Sequence, residues 1–285
     1  MNYKLSNDYE AMYHGAVNAG IQYLLKHKSI KSLVIGVSGG IDSAVVCMLA
    51  NAICDKLLDR RVKLIGRSIS IESNKVDEEE RARGIGKAFC DYFEHLDLTE
   101  GYYVLYNLMM TDNSKIRGGN IKARLRMMYL YNLASKHDGL VLSTDNLTEY
   151  MLGFWTLHGD VGDFGLIQNL WKTEVYGLAQ RWIDNKGMYR RVMKKNMLRC
   201  INAVPTDGLG ITKSDLDQLL PGYRRIEKGD HLKGYKRVDD ALISYFTSGP
   251  PKPHIKVNNA VIERYLRTQF KRNNPASVDR NLLIP

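Results

Sequence analysis

The sequence of 285 residues contains no apolar run approaching the ~18 residues needed to cross a bilayer, which excludes a long membrane-spanning helix. Met1-Asn2-Tyr3-Lys4 is not followed by an apolar signal-peptide core, so a cytoplasmic protein is expected. Cysteine is scarce. Cys47, Cys54, Cys90 and Cys200 form no C-x-x-C pair, which argues against a zinc cluster or a redox dithiol. Cys47 and Cys54 lie one heptad apart and read as buried, reduced thiols. There is no internal repeat, no low-complexity tract and no linker long enough to force two domains. Residues 1–285 are therefore expected to form one domain, with a C-terminal helical tail from about residue 250. Acidic residues are outnumbered: 41 Lys and Arg against 31 Asp and Glu leave a formal net charge of +10. That excess points to anionic partners, nucleotides or nucleic acid, without choosing between them.

Hydrophobic residues make up 44% of the chain, enough for a core of normal size. Segments of opposite periodicity alternate along it. "YEAMYHGAVNAGIQYLLK" places Tyr9, Met12, Tyr13, Ala16, Val17, Ile21, Leu24 and Leu25 on one helical stripe. "SLVIGV", "VKLIGRSISI", "FEHLDL" and "GLVLST" read as strands, and between them lie helical stretches, from Asp42 to Leu58, "DEEERARGIGKAFCDYF", "YVLYNLMM" and "NIKARLRMMYLYNLASKH". Such alternation implies an α/β fold, a doubly wound parallel sheet with helices on both faces. Beyond Gly159 the pattern loosens. "KTEVYGLAQRWIDNKG", "TKSDLDQLL" (capped by Thr212 or Ser214) and "AVIERYLRTQFKR" read as helices. The basic segment "RRVMKKNMLR" reads as a helix burying Val192, Met193, Met197 and Leu198 and solvating its cations.

The chemistry is densest where the first apolar strand breaks. Gly36-Val37-Ser38-Gly39-Gly40-Ile41-Asp42-Ser43 stands between a strand and a helix. Gly39 and Gly40 let the backbone approach a ligand and take positive φ. The unpaired N–H groups of the turn and helix start would then face an anion, typically phosphate, with Ser38 and Ser43 adding hydroxyls. The lysine of the common triphosphate loop is missing, and Asp42 is present instead. A carboxylate beside phosphate needs a cation between them, and Mg²⁺ is the simplest. Later, "STDNLTEY" follows a buried strand, so Thr144, Asp145 and Glu149 are expected on a loop at the same sheet edge, Glu149 as a second metal carboxylate. Lys172 opens a helix, where a cation opposes the dipole and requires a counter-charge; phosphate would supply one. Arg124 and Arg126 diverge around their helix, so that one of them can face the site.

The Ser-Gly-Gly-x-Asp-Ser turn resembles the pyrophosphate loop of the N-type ATP pyrophosphatases, which cleave ATP to AMP and pyrophosphate on an adenine nucleotide alpha hydrolase-like fold. "GNIKARLRMMYLYNLA", "STDNLTEYMLGFWTLHGDVGDFG", "LWKTEVYGLA", "VPTDGLG" and "QFKRNNPAS" then follow in the order found in NAD synthetases, which this chain resembles over most of its length. That resemblance implies an ammonia-dependent ligase forming a C–N bond, with ATP as co-substrate and Mg²⁺ as cofactor. Deamido-NAD would be amidated through an acyl-adenylate. It assigns ATP contacts to Gly36, Val37, Ser38, Gly39, Gly40, Asp42, Ser43, Thr144, Lys172 and Thr206, and metal to Asp42 and Glu149. Asp42, Asp145 and Lys172 would carry the chemistry. Substrate contacts fall to Arg124, Asp163 and Lys271.

Three departures from the family pattern are visible. Leu157 stands where lysine is frequent, Phe270 where histidine is frequent, and the loop from Thr206 to Leu209 is short. All three bear on the dinucleotide or on the loop over ATP, and Leu157 and Phe270 are expected at the substrate site. The family also implies a homodimer, with no nucleic-acid or membrane partner. Two rivals remain at this stage: a tRNA-modifying ATP pyrophosphatase, which the basic charge suits, and a non-catalytic nucleotide-binding protein.

Overall fold

The computed structural model describes residues 3–57, 62–72, 76–185, 191–205, 214–223, 230–249, 256–272 and 276–279. Its centre is a parallel five-stranded sheet: β1 (Ser32–Gly36), β2 (Lys63–Ser70), β3 (Tyr92–Asp97), β4 (Gly139–Ser143) and the two-residue β5 (Phe164–Gly165), in the order β3-β2-β1-β4-β5. Leu33 pairs with Leu64 on one side and Leu140 on the other, and Val34 with Ile65 and Val141. The chain winds outward from β1 to β3, then returns to lay β4 on the opposite side of β1. Strand order thus reverses between β1 and β4, which opens a crevice at their carboxyl ends.

The two-residue period of the strands divides the core. Leu33, Ile35, Val37 and Leu64 pack on one face beneath α1 (Tyr9–Lys26), α2 (Ile41–Lys56), α3 (Val76–Phe89), α7 (Lys172–Asp184) and α8 (Arg191–Ile201). Val34, Ile65, Ile69 and Val141 pack on the other, against Tyr102 of α4 (Thr99–Met109) and Leu125, Leu130 and Leu133 of α5 (Lys115–Lys136). α2 is apolar nearly all round because it is enclosed by β1, α1, α3, α7 and α8.

The remaining helices are α6 (Leu147–Leu152), α9 (Leu216–Leu219), α10 (His231–Ser248), α11 (Lys256–Arg267) and α12 (Gln269–Arg272), of which all but α10 contribute residues to the lining of the crevice. α10 packs on α7 and α9, while α11 and α12 pack on α6.

Several expectations are corrected. Glu149 lies in the first turn of α6 and not on a loop. Asn146 accepts from the Glu149 backbone N–H at 3.0 Å and the Glu149 side chain reaches back to the Asn146 N–H, a capping box that nucleates this short helix. α8 buries Met197, Cys200 and Ile201, leaving Val192 and Leu198 exposed, since the contact with α3 selects a face rotated from the expected one. α1 buries Val17, Gly20 and Leu24 but turns Leu25 outward. Of the helix expected over 212–220, the described residues 214–220 form only the single turn of α9, with Ser214 Oγ accepting from Leu216 N at 3.3 Å; Thr212 and Lys213 lie outside the described residues. The last helix breaks at Thr268, whose hydroxyl donates to the Arg264 carbonyl.

Candidate active site

The turn after β1 is held open from within and from behind. Gly39 adopts φ +82°, and a Cβ there would lie 2.4 Å from the Glu78 carbonyl oxygen, so α3 leaves room only for glycine. Arg81 of α3 donates to the Gly39 carbonyl at 3.0 Å. Inside the turn, Ser43 Oγ donates to Gly40 O at 3.1 Å and accepts from Ser38 N at 3.3 Å, while Gly40 N donates to Ser38 Oγ at 3.2 Å. The N-terminus of α2 carries no side-chain cap, so its first N–H groups remain available to an incoming anion.

Across the switch point, α6 and α7 bring three charges together. Lys172 Nζ lies 2.5 Å from Asp42 Oδ2 and 2.8 Å from Glu149 Oε1, and the lysine is only 2% exposed. Asn146 Nδ2 donates to the other Asp42 oxygen at 2.9 Å. Burial pulls the Lys172 ammonium down, but Asp42 and Glu149 outweigh it and hold the group well above the ordinary lysine range. Burial, reinforced by Asp42 and opposed by Lys172, pushes the Glu149 carboxyl up to about 7. Burial also raises Asp145 well above the carboxylate range, with Asp160, Glu149 and Asp42 adding to it; Ser143 Oγ lies 3.3 Å from its Oδ2.

Two cavities adjoin here. The larger, about 690 Å³, is lined by Gly36, Val37, Ser38, Gly40, Asp42, Ser43, Thr144, Asp145, Glu149 and Lys172, among others. The fold thus collects the expected nucleotide residues at one place, with Gly39 shaping the turn from behind; Thr206 lies outside the described residues, although Pro205 lines the same cavity. Arg126, Arg264, Arg267 and Lys271 line it too, adding four basic residues to its wall. The buried Arg67 Nε and Trp155 Nε1 find no partner among the described residues, and both side chains line this cavity. The smaller cavity, about 610 Å³, is bounded by Arg124, Met127, Met128, Tyr131, Tyr150, Trp155, His158 and Lys271. Met127, Trp155 and Lys271 belong to both, so the two cavities share a wall.

The expected substrate residues divide. Arg124 and Lys271 line the smaller cavity: Arg124 donates to the Leu157 carbonyl at 3.1 Å, and Lys271 to the carbonyls of Gly153, at 2.7 Å, and Trp155. Leu157 contributes that carbonyl; its side chain lines neither cavity. Phe270 is 63% exposed and also lines neither. Asp163 accepts from Tyr131 Oη at 2.6 Å and from Val141 N at 3.1 Å, which ties β4 to α5 beside the cavity. Asp160, three residues earlier, lines the larger cavity. Its surface stays open to that space, yet the surrounding protein desolvates the carboxyl and raises it. Sequence reading gave the role in this loop to Asp163 and not to Asp160, and it missed Asn146, Arg67, Arg264 and Arg267. The Asn-x-x-Glu spacing of a capping box was the available signal for Asn146. The others converge only through tertiary packing.

Comparison with known proteins places the chain in a family. The NAD synthase family model matches residues 14–275. The NH(3)-dependent NAD(+) synthetase of Helicobacter pylori (strain HPAG1) is 37% identical over 243 residues, 82% of this chain and 88% of that protein. Its counterpart from Mycoplasmopsis pulmonis is 31% identical over 245 residues, 83% of this chain and 90% of its own. Among solved structures, an NMN synthetase from Francisella tularensis superposes with TM-score 0.73 at 20% identity, covering 97% of this chain and all of that one. The NH3-dependent NAD synthetase of Campylobacter jejuni superposes with TM-score 0.66 at 19% identity, covering 95% of this chain and 100% of its own. These structural likenesses establish the fold, and the sequence matches establish the lineage: the chain belongs to the NAD synthase family.

Proposed function

We propose that the protein amidates deamido-NAD to NAD with ammonia, at the expense of ATP, which becomes AMP and pyrophosphate. The observation that carries this reading is the convergence of Asp42, Glu149 and Lys172 at the switch point, in the same cavity as a phosphate-type turn and with a second cavity adjoining it. A carboxylate oxygen of the nicotinate ring attacks the α-phosphorus, the bond to the bridging oxygen breaks, and pyrophosphate leaves. Ammonia then attacks the acyl carbon, AMP departs and the nitrogen loses a proton. The turn N–H groups, the start of α2 and the cation of Lys172 face the charge that builds on the phosphates. The larger cavity suits ATP; the smaller, with Arg124, Lys271 and the parallel Tyr150 and Trp155 rings, suits the acceptor.

The side chains present fit a magnesium ion. Asp42 and Glu149 offer hard oxygens that already share one cation, the Lys172 ammonium. No third His, Cys, Asp or Glu completes a protein-only cage among the described residues, so phosphate oxygens and water would fill the remaining positions, the usual pattern for Mg²⁺. Held by Asp42 and Glu149, such an ion would supply positive charge to offset that of the phosphates.

The protein is also read as a cytoplasmic homodimer. No helix among the described residues is long and apolar enough to cross a membrane. Val104 and Leu108 of α4 and Ile116 and Met128 of α5 are exposed. Met128 also borders the smaller cavity, so a second copy lying on this face would help close it. Isotope transfer tests the chemistry. With both carboxylate oxygens of deamido-NAD labelled as ¹⁸O, one label appears in the AMP phosphate. Unlabelled AMP formed alongside NAD would refute the adenylate route.

A further inference from the structure

One face of α10, a helix that contributes nothing to the turn after β1, meets the Lys172 ammonium through Tyr235 and reaches its backbone through Thr148 and Thr173. Asp239 of α10 is fully buried and receives three hydrogen bonds: Thr148 Oγ1 at 2.6 Å, Thr173 Oγ1 at 2.8 Å and Thr173 N at 3.0 Å. Thr148 Oγ1 in turn accepts from the backbone N of Lys172 at 2.8 Å. Asp239 therefore ties the first turn of α7 to α6 at the two residues adjacent to Lys172 and Glu149. One helical turn earlier, the buried Tyr235 sets its ring 5.3 Å from the Lys172 ammonium. An i, i+4 spacing places both side chains on the same face.

We propose that Asp239, assisted by Tyr235, is a positioning residue for adenylate formation: it fixes where the Lys172 cation stands relative to Asp42 and Glu149. A lysine at a helix N-terminus opposes the dipole and has a long, rotatable stem. A carboxylate on the adjacent backbone N–H offsets the dipole, and an aromatic wall beside the ammonium limits its rotamers. Misplacing a charge by about 1 Å suffices to lower a rate by ~10²-fold. The inference rests on Lys172 acting on the phosphates, as read above.

The test is Asp239→Asn, alone and combined with Lys172→Met, with Thr173→Val as a milder substitute should Asp239→Asn not fold. Steady-state rates are measured with deamido-NAD, Mg²⁺-ATP and ammonium. Asp239→Asn is expected to lower kcat by about 10- to 100-fold and to leave the KM for deamido-NAD within about twofold. In the Lys172→Met background it is expected to lower kcat no further, because its effect passes through that side chain. An undiminished kcat in the folded Asp239→Asn or Thr173→Val protein overturns the proposal. So does an equal loss in both backgrounds, which would mark a structural role independent of Lys172. Full turnover by Lys172→Met would instead remove the role given to Lys172 itself, an outcome separable from the other two.

Discussion

Lys172, the first residue of α7, and Asp42, in the first turn of α2, lie 130 residues apart in sequence and meet with Nζ 2.5 Å from Oδ2. The contact spans the reversal between β1 and β4, so the fold itself sets a buried cation beside the phosphate-type turn. Glu149 completes the group from α6.

Removing one charge of this group with little change of shape tests its electrostatic role. Asp42→Asn keeps the size of the side chain and the bond from Asn146. The variant is expected to stay folded and to lose turnover by ~10²-fold or more, the scale of one lost electrostatic stabiliser. Steady-state kinetics checks this, with circular dichroism to confirm the fold. Near-normal turnover would remove Asp42 from the metal and phosphate site.

Glu149 sets a pH dependence. Its carboxyl is raised to about 7 by burial and by Asp42, against the pull of Lys172, so protons occupy it in mildly acidic solution. A metal ligand must be ionised. The Mg²⁺ concentration giving half-maximal rate is therefore expected to rise about tenfold for each unit below pH 7 and to level off above it. Titrations of rate against Mg²⁺ from pH 5.5 to 8.5 check the slope; a flat profile would contradict the assignment.

Much of this site is readable in the chain. The strand, the Gly-Gly turn and the acidic first turn of α2 are local features, and each is visible as a break in apolar periodicity. Cys47 and Cys54 are buried because α2 is enclosed on nearly every side. Other features depend on packing between distant segments. β5 is two residues long and has no periodicity of its own; it exists because Phe164 and Gly165 align with Leu142 and Ser143. Arg124 and Arg126 are indistinguishable by composition, and only the packing of α5 sends Arg126 to the larger cavity and Arg124 to the smaller. Phe270, expected at the substrate, is exposed on the short helix that follows the break at Thr268.

Gly39 permits a stability test outside the chemistry. Gly39→Ala places a side chain at φ +82° and 2.4 Å from the Glu78 carbonyl oxygen. Strain of this kind costs on the order of 1–3 kcal/mol, so a lower melting temperature and weaker ATP binding are expected together. Thermal unfolding and calorimetric titration with ATP check both. Unchanged values would mean that the turn relaxes freely.

Asp239 gives a second pH signature, in stability. Burial raises its carboxyl from 3.8 to about 7, although Thr148 and Thr173 pull it down. Between those values the native carboxyl holds a proton that the unfolded chain has released. The unfolded state binds fewer protons there, so this group's contribution to stability falls as pH rises through that window and is constant above it. Compared with Asp239→Asn, which does not titrate, the wild-type melting temperature should decline from pH 4 to pH 7. Parallel profiles for the two proteins would contradict the assignment.

The central claim is that this chain makes NAD from deamido-NAD, ammonia and ATP. The most direct measurement supplies the purified chain with deamido-NAD, Mg²⁺-ATP and ammonium and counts NAD, AMP and pyrophosphate together. The three are expected in equal amounts, and glutamine without ammonium is expected to support none. ADP and phosphate in place of AMP and pyrophosphate, full activity with glutamine alone, or amidation of nicotinate mononucleotide with none of the dinucleotide would each contradict it.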